Sequence, residues 1–291
     1  MKFTHIGECR PEIMDEKIEE YQPLEFAVLR LGRFDHLLGV VKAQQPDILV
    51  EYLANLDVRY QQLVKSDYLA LKDSDVSPLI TKLTRLGEHS QLARLFINYN
   101  FQLLQLAKET KWKTAKVKII LRTFMRARYI PIYTNLQVLT ETLPREKAIQ
   151  LFKHYINDYH RSRIDDLDDR FQSLEELREM LLKMGEWGVV GNVGEVKDGK
   201  LIMRRDTCLH HALLEDIPDE ELKFLTCCYG DYEGVRGFNK HFKLTMEHTL
   251  VAGDSYCDCV YYDTRLTKDF THPSKEFFDS IWPLADNKKN Q

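Results

Sequence analysis

Thiols and carboxylates are crowded into one short stretch of the chain. Five of the six cysteines lie between Cys208 and Cys259, and the segment Gly253-Asp254-Ser255-Tyr256-Cys257-Asp258-Cys259 places two of them beside acids and an aromatic ring. A thiol becomes a nucleophile when a neighbouring base or positive charge favours the thiolate. A carboxylate can supply the acid or base that such chemistry needs. This stretch is therefore the first candidate for a reactive site.

Histidines and aspartates near these cysteines supply the partners that a reactive thiol requires. The candidate bases are His210, His211, His241 and His248, and the candidate orienting carboxylates are Asp231, Asp254 and Asp258. His248 alternates with apolar neighbours, so we expect it to face the core and to be hydrogen-bonded there. His210 and His211 are adjacent on a short predicted helix, so at most one of them faces the site.

The same residue types permit two other interpretations. Zinc prefers thiolate and imidazole ligands, but structural zinc sites typically carry cysteine pairs separated by two residues. Here Cys227 and Cys228 are adjacent, and Cys257 and Cys259 flank a single residue. Zinc binding is therefore an alternative that the spacing supports weakly. Free cysteine is also among the most buried residue types, and we expect a packing role for Cys227 and Cys259.

Helices are predicted for the first part of the chain. From about residue 24 to 184, apolar residues recur at intervals of three and four, which is the helical period. One helix is predicted to begin at Ser77-Pro78 and to reach Leu106, with an interruption at Gly87 as the alternative. Another crosses Lys113 to Leu139 and is expected to end or kink at Pro131. A further helix is predicted to begin at Ser173 with a capping box.

Strands and short helices are predicted after residue 185. Val193 to Met203 is typical of a hairpin around Asp198-Gly199, and Phe242 to Leu250 alternates as a half-buried strand does. A second strand from Tyr256 to Tyr262 would place Cys257 and Cys259 on one face and Asp258 on the other. Short helices are predicted for Cys208 to Glu215 and Asp219 to Cys228.

The fold class that follows is α+β, with a helical N-terminal half followed by a small antiparallel sheet with short helices. We expect a helical N-terminal region over residues 1–115 and an α+β domain over residues 116–291.

Composition narrows the classes of partner. Charged residues make up 30% of the 291 residues, and the net charge is only −4. This balance does not favour a nucleic-acid partner, and the basic residues between Lys108 and Arg128 are expected to form a solvated or ion-paired face. The first residues lack the apolar run of a signal peptide, and no apolar stretch is long enough to span a membrane. We therefore expect a cytoplasmic protein without a membrane partner, whose cysteines are free thiols or metal ligands.

A set of residues in the second half resembles the signature of the L-2-amino-thiazoline-4-carboxylic acid hydrolase-like family. In order along the chain these residues are Cys208, Cys228-Tyr229-Gly230-Asp231, Phe238, Leu244, His248-Thr249-Leu250 and Gly253-Asp254-Ser255-Tyr256-Cys257-Asp258. The resemblance covers roughly residues 120 to 265. The chain departs from the pattern at Cys259, where an aromatic residue is expected, and at His210.

The resemblance implies a hydrolase that acts on a carbon–nitrogen bond outside peptides. Its substrate class would be a cyclic amidine, such as a 2-aminothiazoline carboxylate, opened by attack at the amidine carbon to give a carbamoyl-cysteine. Either a thiolate or a water molecule activated by a carboxylate could make that attack. A non-enzymatic small-ligand-binding or zinc-binding sensor or structural domain is the competing interpretation.

Roles for individual residues follow from this hypothesis. Cys257 is predicted to be the nucleophile or a substrate-orienting thiol. Asp231 and Asp258 are predicted to be acid/base or amidinium-binding carboxylates, and Cys228 a supporting or alternate thiol. Three further residues are predicted to contact the small-molecule substrate, namely Cys208, His210 and Asp254. No cofactor is expected, with zinc as the alternative.

Overall fold

A computed structural model describes residues 1–8, 10, 12–65, 71–164 and 169–281. The chain divides into two compact units, a helical unit formed by Met14–Tyr159 and a sheet unit formed by Met1–Ile13 together with the residues from His160 onward. The predicted domain boundary between residues 115 and 116 concerns the extent of the family-like domain and stays a prediction.

Helices and strands together form the α+β fold that the sequence predicts. The α-helices of the described residues are α1 (Ile13–Glu16), α2 (Pro23–Gln44), α3 (Leu49–Leu63), α4 (Asp73–Ile80), α5 (Ser90–Leu103), α6 (Leu121–Thr142), α7 (Arg145–Ile164), α8 (Leu174–Leu182), α9 (Leu209–Leu213), α10 (Glu220–Cys227), α11 (Asp231–Gly234) and α12 (Lys275–Ile281). The strands are β1 (Phe3–Ile6), β2 (Ile18–Tyr21), β3 (Val117–Ile120), β4 (Gly191–Gly194), β5 (Lys200–Arg205), β6 (Phe242–Thr245) and β7 (Cys257–Asp263). None of these helices is long and apolar enough to cross a membrane.

Aromatic side chains fill the core of the helical unit. Phe34 of α2, Tyr60 of α3 and Phe96 of α5 are almost fully buried. The rings of Phe34 and Phe96 have centroids 4.7 Å apart, and Tyr60 packs edge-on against Phe96. Such pairs add directional packing to the burial of large apolar surfaces. The helical period in the sequence therefore reports the faces that form this core.

The predicted helix from Ser77 to Leu106 is interrupted around Gly87, because the chain turns between α4 and α5. The Asp35 carboxylate accepts hydrogen bonds from the backbone N–H groups of Thr84, Arg85 and Leu86. A buried carboxylate needs such donors, and backbone groups that turn towards it cannot continue a helix. Asp35, which is distant in sequence, therefore interrupts the predicted helix.

The region from Lys113 to Leu139 also differs from its prediction. Residues Val117–Ile120 form β3, which pairs antiparallel with β2 so that Ile120 lies opposite Ile18. Helix α6 begins only at Leu121 and continues through Pro131 to Thr142. Pro131 does not end the helix, and its own carbonyl accepts a hydrogen bond from the Tyr60 hydroxyl.

The sheet unit is built on a five-stranded antiparallel sheet with the order β1-β4-β5-β7-β6. The predicted hairpin is confirmed: β4 and β5 are joined through Asp198 and Gly199, whose φ angles are 53° and 71°. Left-handed residues of this kind suit a tight hairpin turn. Strand β1 was not predicted, because its four residues are paired with β4 only through a contact distant in sequence.

Both faces of this sheet are buried, and the predicted alternation along β7 is confirmed. Cys257, Cys259 and Tyr261 belong to the core that also contains apolar residues of α8. The opposite face presents Val260 and Tyr262 to Phe278 of α12. Because side chains alternate along a strand, Asp258 points away from the two thiols that flank it.

Strand β6 is shorter than predicted. It ends at Thr245, and the backbone N–H groups of Glu247 and His248 both donate to Asp258 Oδ1 at 2.8 Å. These donors have left the strand ladder to satisfy a buried carboxylate. The short helices α9 and α10 form as predicted, and the Asp219 side chain caps α10 by accepting from the Leu222 N–H.

Candidate active site

A cavity of about 620 Å³ lies against one face of the five-stranded sheet. Its lining comprises Arg170, Met180, Leu181, Lys183, Met184, Trp187, Val189, Arg205, Thr207, Cys208, Leu209, His210, Asp231, Gly234, Val235, Phe238, Leu244 and Tyr261. Residues of α8, α9 and α11 lie there together with one residue each of β5, β6 and β7. We call this space the Arg205 cavity. Its volume is typical of sites for small organic molecules.

Arg205 is the cation on the sheet side of the cavity. It is the last residue of β5 and lies opposite Cys257 of β7. Its Nη2 donates to the Tyr261 hydroxyl at 2.9 Å, and its Nε contacts Met203 Sδ at 3.4 Å. Within the described part of the chain no carboxylate forms an ion pair with this guanidinium. A partly exposed arginine without a carboxylate partner can bind an anion.

The electrostatic surroundings of Arg205 keep it protonated. Burial acts to lower its pKa, but neighbouring groups, in order Cys259, Tyr261, Cys257 and Asp231, raise it well above the ordinary value. An aspartate is ordinarily the one ionised group among these at neutral pH. The carboxylate of Asp231 is therefore near enough to act on the guanidinium.

Asp231 is the carboxylate of the cavity. It is the first residue of α11, and its backbone N–H donates to the Cys228 carbonyl at 2.9 Å as the chain leaves α10. This turn places an exposed Asp231 at the cavity wall. The cavity therefore has a cationic and an anionic side chain that the described structure does not join in a direct ion pair.

Cys208 and His210 add a thiol and an imidazole to the same cavity. Cys208 immediately precedes α9, and His210 is the second residue of that helix. Both are partly exposed and line the cavity, whereas His211 is outside the set of lining residues. The expectation that at most one of the two histidines faces the site agrees with this placement.

The remaining walls are mainly apolar and change in exposure from base to mouth. Leu181, Val189 and Leu244 are buried, whereas Trp187 is 42% exposed. Cations lie at the exposed end as well, because Arg170 and Lys183 are exposed lining residues. A ligand that fills this space would have a polar part near Arg205 and an apolar part along the walls.

Cys257 and Cys259 belong to the core beside the cavity. The Leu250 N–H donates to Cys257 Sγ at 3.3 Å. Burial raises the pKa of the Cys257 thiol strongly, with Arg205 opposing the shift, and burial raises the pKa of Cys259 to about 11. Both side chains are therefore protonated at neutral pH. Neither is among the described residues that line the cavity.

Cys228 is likewise buried. Its sulfur lies 3.4 Å from that of Cys227, and Cys227 Sγ contacts the Lys223 carbonyl at 3.3 Å. The contact with Cys227, reinforced by burial, raises the pKa of Cys228 well above the ordinary value. Cys228 therefore supports the end of α10 next to Asp231 and, in the described structure, does not line the cavity.

Asp258 and Asp254 hold the backbone that follows β6. Besides two backbone N–H groups, Asp258 lies 2.6 Å from His248 Nδ1 and 3.2 Å from His272 Nε2. Burial acts to raise the pKa of Asp258, but the nearby His272 ring and the hydrogen bonds from His248 and the Glu247 backbone outweigh it and lower the pKa. Asp254 Oδ2 accepts from the Thr249 N–H at 2.7 Å. Neither carboxylate is placed at the cavity wall.

Of the seven predicted site residues, the structure brings three together at one cavity: Asp231, Cys208 and His210. The other four, Cys228, Cys257, Asp258 and Asp254, lie around it in the fold, and their predicted roles in catalysis or binding stay predictions. Within the described residues no group of three or more His, Cys, Asp and Glu side chains is arranged to hold a metal ion.

Sequence reasoning missed Arg205, although a signal for it exists. Leu201 and Met203 alternate towards the core of the sheet unit, and Arg205 continues their register. A charged residue at the inward position of a strand is rare unless it has a partner or a ligand. Tyr261, which accepts the Arg205 hydrogen bond, could not be paired with it without the strand order.

The fold and the cavity define an α+β protein with a mainly apolar cavity of small-molecule size that carries charged side chains. Residues 122–261, slightly less than half of the chain, match the family described as L-2-amino-thiazoline-4-carboxylic acid hydrolase. This segment is similar to that family, in agreement with the resemblance that its sequence shows. Arg205, Cys208, His210 and Asp231 all lie within the matched segment. No curated protein and no solved structure shows significant similarity to the chain.

Proposed function

We propose that this protein is a hydrolase that opens the ring of a cyclic amidine carboxylate in the Arg205 cavity. The observation that carries the proposal is the arrangement of charge: Arg205, without a carboxylate partner in the described structure, and Asp231 line one cavity. A 2-aminothiazoline carboxylate has a matching pair of charges, because its carboxylate is anionic and its amidine becomes cationic on protonation.

The two charges assign an orientation to the substrate. The guanidinium of Arg205 would bind the carboxylate, since a planar fork of donors suits two carboxylate oxygens. The carboxylate of Asp231 would then face the amidinium and keep it protonated. Protonation makes the amidine carbon, which is bonded to two nitrogens and a sulfur, more electrophilic. Binding and activation thus use the same pair of residues.

Water attack follows from this geometry more readily than thiol attack. Cys257 and Cys228 are buried thiols with raised pKa values, which lowers the fraction of thiolate at neutral pH. Asp231 can instead accept a proton from a water molecule as its oxygen bonds to the amidine carbon. His210 is the second group at the cavity able to move a proton, and Cys208 is the lining thiol.

The reaction balances with one water molecule. The oxygen of water forms a bond to the amidine carbon and gives a tetrahedral adduct, while its proton passes to Asp231. The ring carbon–nitrogen bond then breaks while Asp231 returns its proton to the departing nitrogen, and loss of the remaining hydroxyl proton to solvent makes the former amidine carbon a carbonyl. Because the carbon–sulfur bond is kept, the product is an S-carbamoyl-cysteine when the ring is a 2-aminothiazoline carboxylate.

The size of the cavity indicates a substrate larger than a bare aminothiazoline. A five-membered ring with two small substituents occupies a minor part of about 620 Å³. The space beyond Arg205 is bordered by Met180, Met184 and Phe238 and opens towards Trp187. We therefore include an apolar substituent on the ring or its carboxylate-bearing carbon in the proposed substrate class, because its burial would add to binding.

A substrate screen tests the proposal. The protein is incubated with cyclic amidines that carry or lack a carboxylate, and products are detected by a mass increase of one water molecule. The proposal expects turnover of carboxylate-bearing amidines that is lost in Asp231→Asn. Saturable binding without turnover across the carboxylate series would favour a small-ligand-binding sensor.

A further inference from the structure

Arg30 is a buried cation in the helical unit, remote in sequence from the residues of the Arg205 cavity. It lies on α2 with only 4% of its surface exposed. Its Nη2 donates to the Arg128 carbonyl of α6 at 2.8 Å, while its buried Nε has no hydrogen-bond partner. A buried polar group without a partner costs stability, and a buried charge costs more.

A second arginine stands beside it. Arg33 is one turn further along α2, and its Nε donates to the Tyr155 hydroxyl of α7 at 2.9 Å. Burial together with the charges of Arg33 and Arg128 lowers the pKa of Arg30 to about 9. Among the described residues no carboxylate forms an ion pair with Arg30 or Arg33. No described carboxylate therefore offsets their positive charge, and the Arg33 guanidinium lies 5.0 Å from the centroid of the Tyr159 ring.

Both arginines line one small cavity between α2, α5, α6 and α7. Its other lining residues are Phe34, Leu37, Phe96, Ile132, Asn135, Phe152 and Tyr155. The volume is about 10 Å³, which is near the least space that admits one water-sized particle. A phosphate or an organic acid does not fit such a space, and a monatomic ion is the class of anion closest to it in size.

We propose that Arg30 and Arg33 form a buried binding site for one monatomic anion, chloride under ordinary conditions. The anion accepts the Arg30 Nε–H and offsets the two neighbouring guanidinium charges. It thereby joins α2 to α6 and α7 through the residues that line the cavity. Asn135 contributes an amide to the same cavity, and its side-chain oxygen is already accepting from the Tyr60 hydroxyl.

Thermal unfolding of the full chain tests the site. The protein is held at constant ionic strength in potassium gluconate, and chloride replaces gluconate stepwise. At a chloride concentration of about five times the Kd, the unfolding midpoint should rise by about 2–4 °C in a saturable manner. Arg30→Met should abolish the rise, because it removes the orphaned donor and keeps most of the packed volume.

Two variants separate this site from other anion effects. Arg59→Met removes a surface arginine of the same unit that pairs with Glu141, and Arg205→Met removes the cation of the Arg205 cavity. Both should keep the chloride-dependent shift. In crystals grown with bromide, an anomalous peak should lie beside Arg30.

Three outcomes would overturn the proposal. They are an unfolding midpoint that is insensitive to chloride, a shift that survives in Arg30→Met, and bromide crystals without a peak beside Arg30. Should Arg30→Met fail to fold, the chloride titration of the natural chain and the bromide peak still decide, since a cavity filled by water gives neither signal.

Discussion

Arg205 of β5 and Asp231 of α11 line the same cavity, and in the described structure their side chains form no direct ion pair with each other. Arg205 is fixed by its 2.9 Å hydrogen bond to Tyr261, so its fork is oriented before a ligand binds. Preorganised charges of this kind favour a bound dipolar substrate without reorganisation of the protein.

Asp231→Asn should lower kcat by about 10²- to 10⁴-fold, because an amide cannot accept the proton of the attacking water. The change is nearly isosteric, so the unfolding midpoint should stay close to that of the natural chain. Steady-state kinetics on a carboxylate-bearing cyclic amidine measure the effect. Asp254→Asn is the matched control, since Asp254 accepts a backbone N–H away from the cavity wall. Equal losses in both variants would contradict the role of Asp231.

Cys257→Ala and Cys228→Ala should retain kcat/KM within about twofold of the natural chain while lowering stability by about 1 kcal/mol. The reason is that both thiols are buried and have raised pKa values. Thermal unfolding and ring-opening assays on the same samples separate the two effects. A loss of turnover at unchanged stability in Cys257→Ala would restore that thiol as the nucleophile.

Stability should depend on pH through His248 and Asp258, which lie 2.6 Å apart. The hydrogen bond to Asp258 raises the pKa of His248, so its contribution is complete below the ordinary value of about 6.5 and is lost as pH rises through the folded-state value. The pKa of Asp258 is lowered, so its contribution is present above about 4 and is lost at more acidic pH.

Urea unfolding between pH 5 and pH 9, an interval of about four units around the ordinary histidine pKa, measures this dependence. The free energy of unfolding should decline on the alkaline side, and His248→Asn should flatten that decline because its amide does not titrate. An unchanged alkaline decline in His248→Asn would show that another group is responsible.

An apolar substituent on the substrate should lower KM, because it fills the space that leads to Trp187. Each buried methylene is expected to add about 0.8 kcal/mol, or roughly fourfold in KM. A homologous series of alkyl-substituted amidine carboxylates measures this effect. Met184→Ala should weaken the long members of the series and leave the unsubstituted compound unaffected. A KM that is independent of chain length would contradict the proposed substrate class.

The sequence predicted the local parts of the site better than their assembly. Alternation around Cys257, Asp258 and Cys259 correctly separated the acid from the thiols, because strand geometry is local. The alternation could not reveal that Asp258 accepts hydrogen bonds from the backbone N–H groups of Glu247 and His248. These hydrogen bonds shorten β6. These hydrogen bonds depend on the order of the strands in the sheet.

Contacts between residues distant in sequence account for the other differences. Asp35 turns the chain at Thr84 to Leu86 and so divides a predicted helix in two. Strand β1 joins the sheet edge through β4, nearly two hundred residues later in the sequence. Predicting the cavity also requires the tertiary contacts, because Arg205, Asp231 and Tyr261 meet only when β5, α11 and β7 are packed together.

The central claim is that Arg205 binds a substrate carboxylate, and one comparison tests it directly. The ratio of kcat/KM for a cyclic amidine carboxylate to that for its uncharged carboxamide is measured in the natural chain and in Arg205→Met. The ratio should be about 10- to 100-fold in the natural chain, as expected for a charge-assisted pair, and should fall close to one in the variant. Arg236→Met, in the turn after α11 and paired with Glu233, should keep the natural ratio. A preference for the carboxylate that persists in Arg205→Met would contradict the account.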